Sequence, residues 1–229
     1  LPGQPEGLAR DSQGRLHAVV LATGRIYRLD GKGGHDHYAT VPTQELSTAG
    51  YSIGAAFDRD DNLYVAYFWG GSKHPWENDP WQLACRDSTD QYSGVYRVDA
   101  ATRAVTPVLT KAQGWPVCVP DDVVVDRQGN LYVTDLTLSG IWKIRPDKSF
   151  VLWSADPLLQ WPPRPYGDVL AAANPIALDA SGANVYVGTV GSPAVIRIAV
   201  EADGSAGKAV VVAEDLAPIV GLELDEAGG

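Results

Sequence analysis

Val123-Val124-Val125-Asp126-Arg127-Gln128-Gly129-Asn130-Leu131-Tyr132-Val133-Thr134 reads as two short apolar strands joined by an Asp/Gly turn. β-branched and aromatic side chains fill the strands, while Asp, Gly and Asn supply the chemistry of a tight hairpin. The pattern occurs earlier as Leu8-Ala9-Arg10-Asp11-Ser12-Gln13-Gly14-Arg15-Leu16-His17-Ala18-Val19 and as Ala55-Ala56-Phe57-Asp58-Arg59-Asp60-Asp61-Asn62-Leu63-Tyr64-Val65-Ala66. A fourth copy, one residue longer, runs from Ile176 through Asp179 and Gly182 to Val187, and a fifth begins at Leu222-Glu223-Leu224-Asp225. Self-similarity on this scale decides the architecture before any single residue does.

A third strand follows each complete copy: Arg25 to Leu29, Gly94 to Val98, Gly140 to Ile144 and Ala194 to Ile198. Each alternates apolar with polar or basic residues, as half-buried strands do. Fourth strands are expected at His37 to Val41, Ala104 to Leu109, Phe150 to Trp153 and Lys208 to Ala213. Four strands per repeat, repeated radially, predict an all-β β-propeller of four-stranded blades. The aligned Asp residues at 11, 58, 126, 179 and 225 give pitches of 47, 68, 53 and 46, so two repeats carry insertions, at 69–93 and 156–173. The blades are expected at 5–43, 52–110, 120–155 and 174–214, with the first strand of a fifth at 219–229, all in one domain spanning 1–229. A ring stopped after one strand leaves sheet edges open. The expectation is therefore a six-bladed ring in the intact protein, continuing past Gly229.

Composition fits this class and excludes others. The chain has 229 residues, 45% hydrophobic and 20% charged, with 24 Gly and 16 Pro spread as punctuation. No apolar run reaches the roughly 18 residues of a membrane span. A net charge of −10 argues against nucleic acid or anionic lipid as the main partner. A small-molecule substrate or ligand remains the expected partner, with oligomeric state open. Met is absent altogether, so Leu1 is not a translation start and a signal peptide is one expected loss.

Blade topology turns the repeat into a site. Loops entering the first strand and loops joining the second and third share one face, and both insertions fall there. Trp69, Trp76, Trp81, Trp115 and Trp161 would form an aromatic lid over the channel mouth, able to stack on ring-shaped ligands; the alternative is that these loops need a small core of their own. Five residues before each aligned Asp stand Glu6, Ile53, Asp121, Asn174 and Val220. Glu6, Asp121 and Asn174 are oxygen donors that would converge from different blades on a hard divalent cation, Ca²⁺ foremost, with Mg²⁺ or Zn²⁺ as alternatives. They are also ordinary turn residues at strand starts. His17, His35, His37 and His74 show no zinc-finger or metalloprotease spacing and read as surface or packing residues.

On these positions the chain resembles the gluconolactonase/senescence-marker-protein family of six-bladed propellers, also called regucalcin-like. Pro5-Glu6-Gly7, Pro120-Asp121-Asp122 and Ala173-Asn174-Pro175 stand where that family places Glu-Gly-Pro, Asn-Asp and Asn-Gly. The resemblance implies that Glu6 and Asn174 are metal ligands, with Asp121 in the place of another Asn ligand. It also implies a cation that polarises a lactone or ester carbonyl and its attacking water. The family's fifth-blade Asp, ligand and general base, is replaced here by Val220 in Val220-Gly221. Asp121 is then the expected catalytic base, with Asp122 or a residue beyond Gly229 as alternatives. The expected activity is a metal-dependent lactonase or esterase-like hydrolase of a small, sugar-derived substrate. The alternatives are a non-catalytic binding propeller whose metal site has drifted and, more distantly, a metal-free condensing propeller of the strictosidine-synthase kind.

Other chemistries leave no trace. There is no Gly-x-Ser-x-Gly elbow and no Cys-x-x-Cys, Gly31-Lys32-Gly33-Gly34 reads as a turn, and Ser52, Ser93 and Ser139 lack a legible base. Cys85 and Cys118 both fall on the lid face, so a disulfide between them is expected. Paired, they favour an extracellular or periplasmic protein; as two buried thiols they would suit a cytoplasmic one.

Overall fold

The computed structural model describes residues 1–21, 23–41, 50–69, 90–136, 138–159, 173–190 and 193–225. Among the described residues sixteen strands form four antiparallel sheets, each in sequence order. The first holds β1 (Pro5–Arg10), β2 (Leu16–Val20), β3 (Arg25–Leu29) and β4 (His35–Thr40). The second holds β5 (Gly50–Phe57), β6 (Leu63–Trp69), β7 (Gly94–Val98) and β8 (Val105–Thr110). The third holds β9 (Pro120–Val125), β10 (Leu131–Asp135), β11 (Gly140–Ile144) and β12 (Phe150–Ser154), and the fourth β13 (Ala173–Leu178), β14 (Asn184–Thr189), β15 (Val195–Val200) and β16 (Ala206–Ala213). These are the four-stranded blades that the repeat predicts. The described helical structure is two short 3-10 turns, Lys111–Gln113 and Pro157–Leu159.

The quoted repeat is the β1–β2, β5–β6, β9–β10 and β13–β14 hairpin, and its Asp does the same work in each. Asp11 Oδ1 accepts the amides of Gln13 and Arg15, Asp58 Oδ1 those of Asp60 and Asn62, and Asp126 Oδ1 those of Gln128 and Asn130. In the longer fourth turn Asp179 Oδ1 reaches the Ala183 amide and the Ser181 hydroxyl. A carboxylate that accepts several amides replaces the water those turn groups would otherwise hold. The residue closing each turn is left-handed: Gly14, Gly129 and Gly182 at φ 75°, 81° and 77°, and Asp61 at 59°.

The fifth repeat departs from expectation. Residues 214–225 form no strand, and Val220 is 70% exposed. Yet Ile219 N–H donates to Thr189 O at 3.4 Å, as the equivalent Ser52 N–H donates to Leu21 O at 3.1 Å. The segment thus meets the preceding sheet as β5 does, and among the described residues it pairs with no strand of its own.

The chain divides into two compact units, Leu1–Val123 and Val124–Gly229, each with its own core. In the first, Val19, Ile26 and Tyr38 pack with Leu63, Val65, Tyr67 and Tyr96. In the second, Tyr132, Ile141 and Trp153 pack with Val185, Val187, Ile196 and Ile198. Alternation along the third strands sets a cation across from a ring in every sheet: His17 opposite Arg28, Tyr64 opposite Arg97, Tyr132 opposite Lys143 and Tyr186 opposite Arg197. Lys143 shows why the basic residue is tolerated. It is buried, its Nζ lies 5.1 Å from the Tyr132 ring centroid, and it donates to Gly204 O at 3.0 Å.

Candidate functional site

The first strand of three of the sheets is irregular near the position five residues before the turn Asp. In β1, Pro5 pairs with Val20 and Gly7 with Val19, so Glu6 is an extra residue in the ladder. In β5 the register slips between Ser52 and Ala55, across Ile53 and Gly54; in β13 it slips between Ala173 and Ile176, across Asn174 and Pro175. Glu6, Ile53 and Asn174 therefore sit at bulges, which re-aim a side chain out of the regular alternation. Spacing from the turn Asp locates these positions, but the repeat pattern carries no sign of the bulges themselves.

Two glycines bring three of the positions together in the first unit. A Cβ on Gly7 would lie 2.1 Å from Ile53 O, and one on Gly54 would lie 2.0 Å from Asp122 Oδ1 and 2.5 Å from Asp122 Cα. Only glycine lets the starts of β1, β5 and β9 approach this closely. Glu6, Ile53 and Asp121 are consequently neighbours in series.

Their environments differ. Glu6 is an exposed residue whose carboxyl is partly shielded by the packed strand starts, and this desolvation raises its pKa. Its side chain makes no hydrogen bond or ion pair among the described residues. Asp121 is 3% exposed, and the following Asp122 is half-buried, with Oδ1 accepting the Val123 amide at 2.8 Å. Ile53 contributes no donor. In the second unit Asn174 is half-buried, and its backbone carbonyl accepts a 2.7 Å bond from Thr134 Oγ1, a fully buried hydroxyl that pins the bulge. Among the described residues no cluster of three or more His, Cys, Asp or Glu is placed to hold a metal.

Of the expected aromatic lid, Trp76, Trp81 and Trp161 lie outside the described residues. Trp69 is half-buried, with its ring against Tyr92 at 5.9 Å and its amide donating to Ser93 Oγ at 2.9 Å. Trp115 is 1% exposed and lies in the core, where the alternative reading of these loops places it. Short loops that enter a strand are drawn into the packing beneath them, and an indole is the largest apolar surface available.

A buried polar cluster was not legible in the sequence. Asp90 accepts the amides of Tyr92 and Ser93, the Ser93 hydroxyl at 2.5 Å, and an ion pair from Lys111 Nζ at 3.0 Å. Ser93 thus does have a carboxylate partner, and the buried pair closes the start of β7. Cys118 is buried and disulfide-bonded, and no described cysteine is free. Cys85, the partner expected from the sequence, lies outside the described residues. No described helix is long and apolar enough to cross a membrane.

No protein-family model matches the chain, and no curated protein matches it in sequence. Solved structures do match in fold. A gluconolactonase from Xanthomonas campestris superposes with a TM-score of 0.68 at 16% identity, over 99% of this chain and 68% of that one. A calcium-binding regucalcin from Agrobacterium tumefaciens gives 0.57 at 14% identity, over 91% and 60%. A chain of a nidogen/laminin complex gives 0.61 at 18% identity, over 90% and 64%. The chain therefore spans roughly two thirds of the length of these structures, and at such identities the likeness is one of fold. That fold is the one implied by the resemblance of the repeats to the regucalcin-like gluconolactonases.

Proposed function

We propose that this chain carries the substrate-binding and metal-binding strands of a lactonase or esterase-like hydrolase acting on a small, sugar-derived molecule. The observation that carries the reading is the set of bulged and glycine-packed strand starts in series, where Glu6 offers an unpartnered carboxyl on β1 and Asp121 a buried one on β9. Hard oxygen donors of this kind fit a divalent cation, Ca²⁺ foremost, with Mg²⁺ and Zn²⁺ as alternatives. Glu6 and Asp121 would hold it. When bound, such an ion polarises a lactone carbonyl. The chain's own residues would do the rest: Asp121 would take and return the proton of the attacking water, and Trp69 would border the substrate.

A six-bladed ring is proposed for the intact protein, and the Cys118 disulfide supports an exported one. The second reading is a propeller that binds without reacting. It is favoured by Ile53 and Val220, which supply no donor where the resemblance implies one for Val220. Hydrolysis of a sugar δ-lactone, followed by base uptake at constant pH before and after chelation, separates the two. The hydrolase reading expects activity that chelator removes and Ca²⁺ restores, and that Glu6→Gln and Asp121→Asn both lose in folded protein. Activity indifferent to chelator and to both substitutions would leave the binding reading in its place.

A further inference from the structure

The outer strand of the first sheet carries a second candidate site of different chemistry. β4 begins at His35, two residues earlier than the sequence pattern predicts. His35 and His37 are thereby i and i+2 on one strand and share a face, while Asp36 turns to the other, where its carboxylate accepts from Arg28 at 3.1 Å. Both imidazoles are on exposed residues, and both stand edge-on against the Tyr27 ring of β3, with centroids at 5.2 and 5.9 Å. They are gathered over a single cross-strand neighbour.

His37 is also held in orientation. Its Nε2 is 2.9 Å from Thr40 Oγ1. In the tautomer whose Nε2–H donates to that hydroxyl, Nδ1 presents a lone pair, the arrangement in which a ligating imidazole is commonly fixed by a bond from its other nitrogen. Asp30, on the turn between β3 and β4, adds negative charge nearby: the Lys32 and Gly34 amides, together with the His35 ring, keep its carboxyl below the ordinary range.

We propose that His35 and His37 form a two-imidazole chelate for a borderline transition-metal ion, Ni²⁺, Cu²⁺ or Zn²⁺, with water completing its coordination. Imidazole nitrogens two residues apart on a strand can meet one ion at the ~2.0–2.1 Å of Zn–N bonds. The Irving–Williams order places Cu²⁺ above Ni²⁺ and Zn²⁺ here, whereas Ca²⁺ and Mg²⁺ prefer oxygen. The site is separate from the strand starts around Glu6 and does not depend on the hydrolase reading.

Untagged full-length chain titrated calorimetrically with NiCl₂ should bind one equivalent, undisplaced by excess CaCl₂. His35→Gln and His37→Gln should each weaken binding by about tenfold or more, and Thr40→Val by about tenfold through loss of orientation. The double substitution should abolish it, with far-ultraviolet circular dichroism unchanged. Absence of Ni²⁺ uptake by the wild type, or equal uptake by the double variant, overturns the proposal. Should a variant fail to fold, diethyl pyrocarbonate labelling of the wild type decides: Ni²⁺ must protect His35 and His37 together, and labelling indifferent to Ni²⁺ overturns the site.

Discussion

His17 is wholly enclosed, with its ring 4.5 Å from that of Tyr38 and 4.8 Å from that of Phe57. Nδ1 lies 3.3 Å from Arg15 O, and Nε2 has no partner. A neutral imidazole donating through Nδ1 suits this place, and an imidazolium does not. Desolvation lowers the His17 pKa below its ordinary 6.5; the Asp11 charge and the bond to the Arg15 carbonyl oppose that shift, and the Arg15 and Arg103 charges reinforce it. Because the unfolded chain takes up the proton first, stability is full above about pH 6.5 and is lost as pH falls toward the lower pKa of the folded protein. Urea unfolding at pH 8 and pH 5 should show this loss, and His17→Leu should flatten it; an unchanged slope in the variant would remove the assignment. A second residue-scale prediction concerns the strand starts. Gly7→Ala sets a Cβ against the Ile53 carbonyl, so the backbone must move, at about 2–3 kcal/mol. Gly14→Ala has open space around it and pays only for its left-handed φ of 75°, about 1 kcal/mol. Paired denaturation curves should rank them in that order.

At the scale of elements, the four hairpins share a sequence signature but differ in how much rests on them. Asn62 is buried in the second: its amide donates to Asp58, and its Oδ1 accepts from Arg97 Nη2 at 2.5 Å and from the Ala100 amide at 3.1 Å. It ties the β5–β6 turn to the β7–β8 turn. The equivalent Asn130 bonds Asp126 Oδ2 alone through its side chain. Asn62→Ala leaves the Ala100 amide without its acceptor and Arg97 with Asp99 alone, and should cost about 2 kcal/mol, against about 1 kcal/mol for Asn130→Ala. Equal shifts in urea midpoint would refute the distinction. The element scale also marks how far the sequence carries. Turn Asp and strand alternation located all sixteen strands within a few residues, because both arise from local backbone chemistry. The bulges at Glu6 and Asn174, the burial of Trp115 and the Asp90–Lys111 pair arise from contacts between elements, which no local pattern records. The fifth hairpin start reads like the others at Leu222-Glu223-Leu224-Asp225, and among the described residues it forms no strand.

At the scale of the whole molecule, 28 acidic residues face 18 basic ones, and the charge of −10 repels itself. Any added salt should therefore stabilise the protein somewhat by screening, and a cation effect proves nothing about a site unless screening is subtracted. Melting curves in NaCl and in CaCl₂ at matched ionic strength make that subtraction. Screening depends on ionic strength and acts on all the carboxylates alike, so Glu6→Gln should retain nearly all of the rise seen in NaCl. Binding depends on one donor set: at a Ca²⁺ concentration of about 100 times Kd it contributes about 2.7 kcal/mol beyond screening. The expected outcome is an extra rise in Tm for the wild type in CaCl₂ that Glu6→Gln and Asp121→Asn both lose, each starting from a Tm near that of the wild type in NaCl. A rise that tracks ionic strength in all three proteins would assign the acidity to solvated surface and leave the strand starts without a metal.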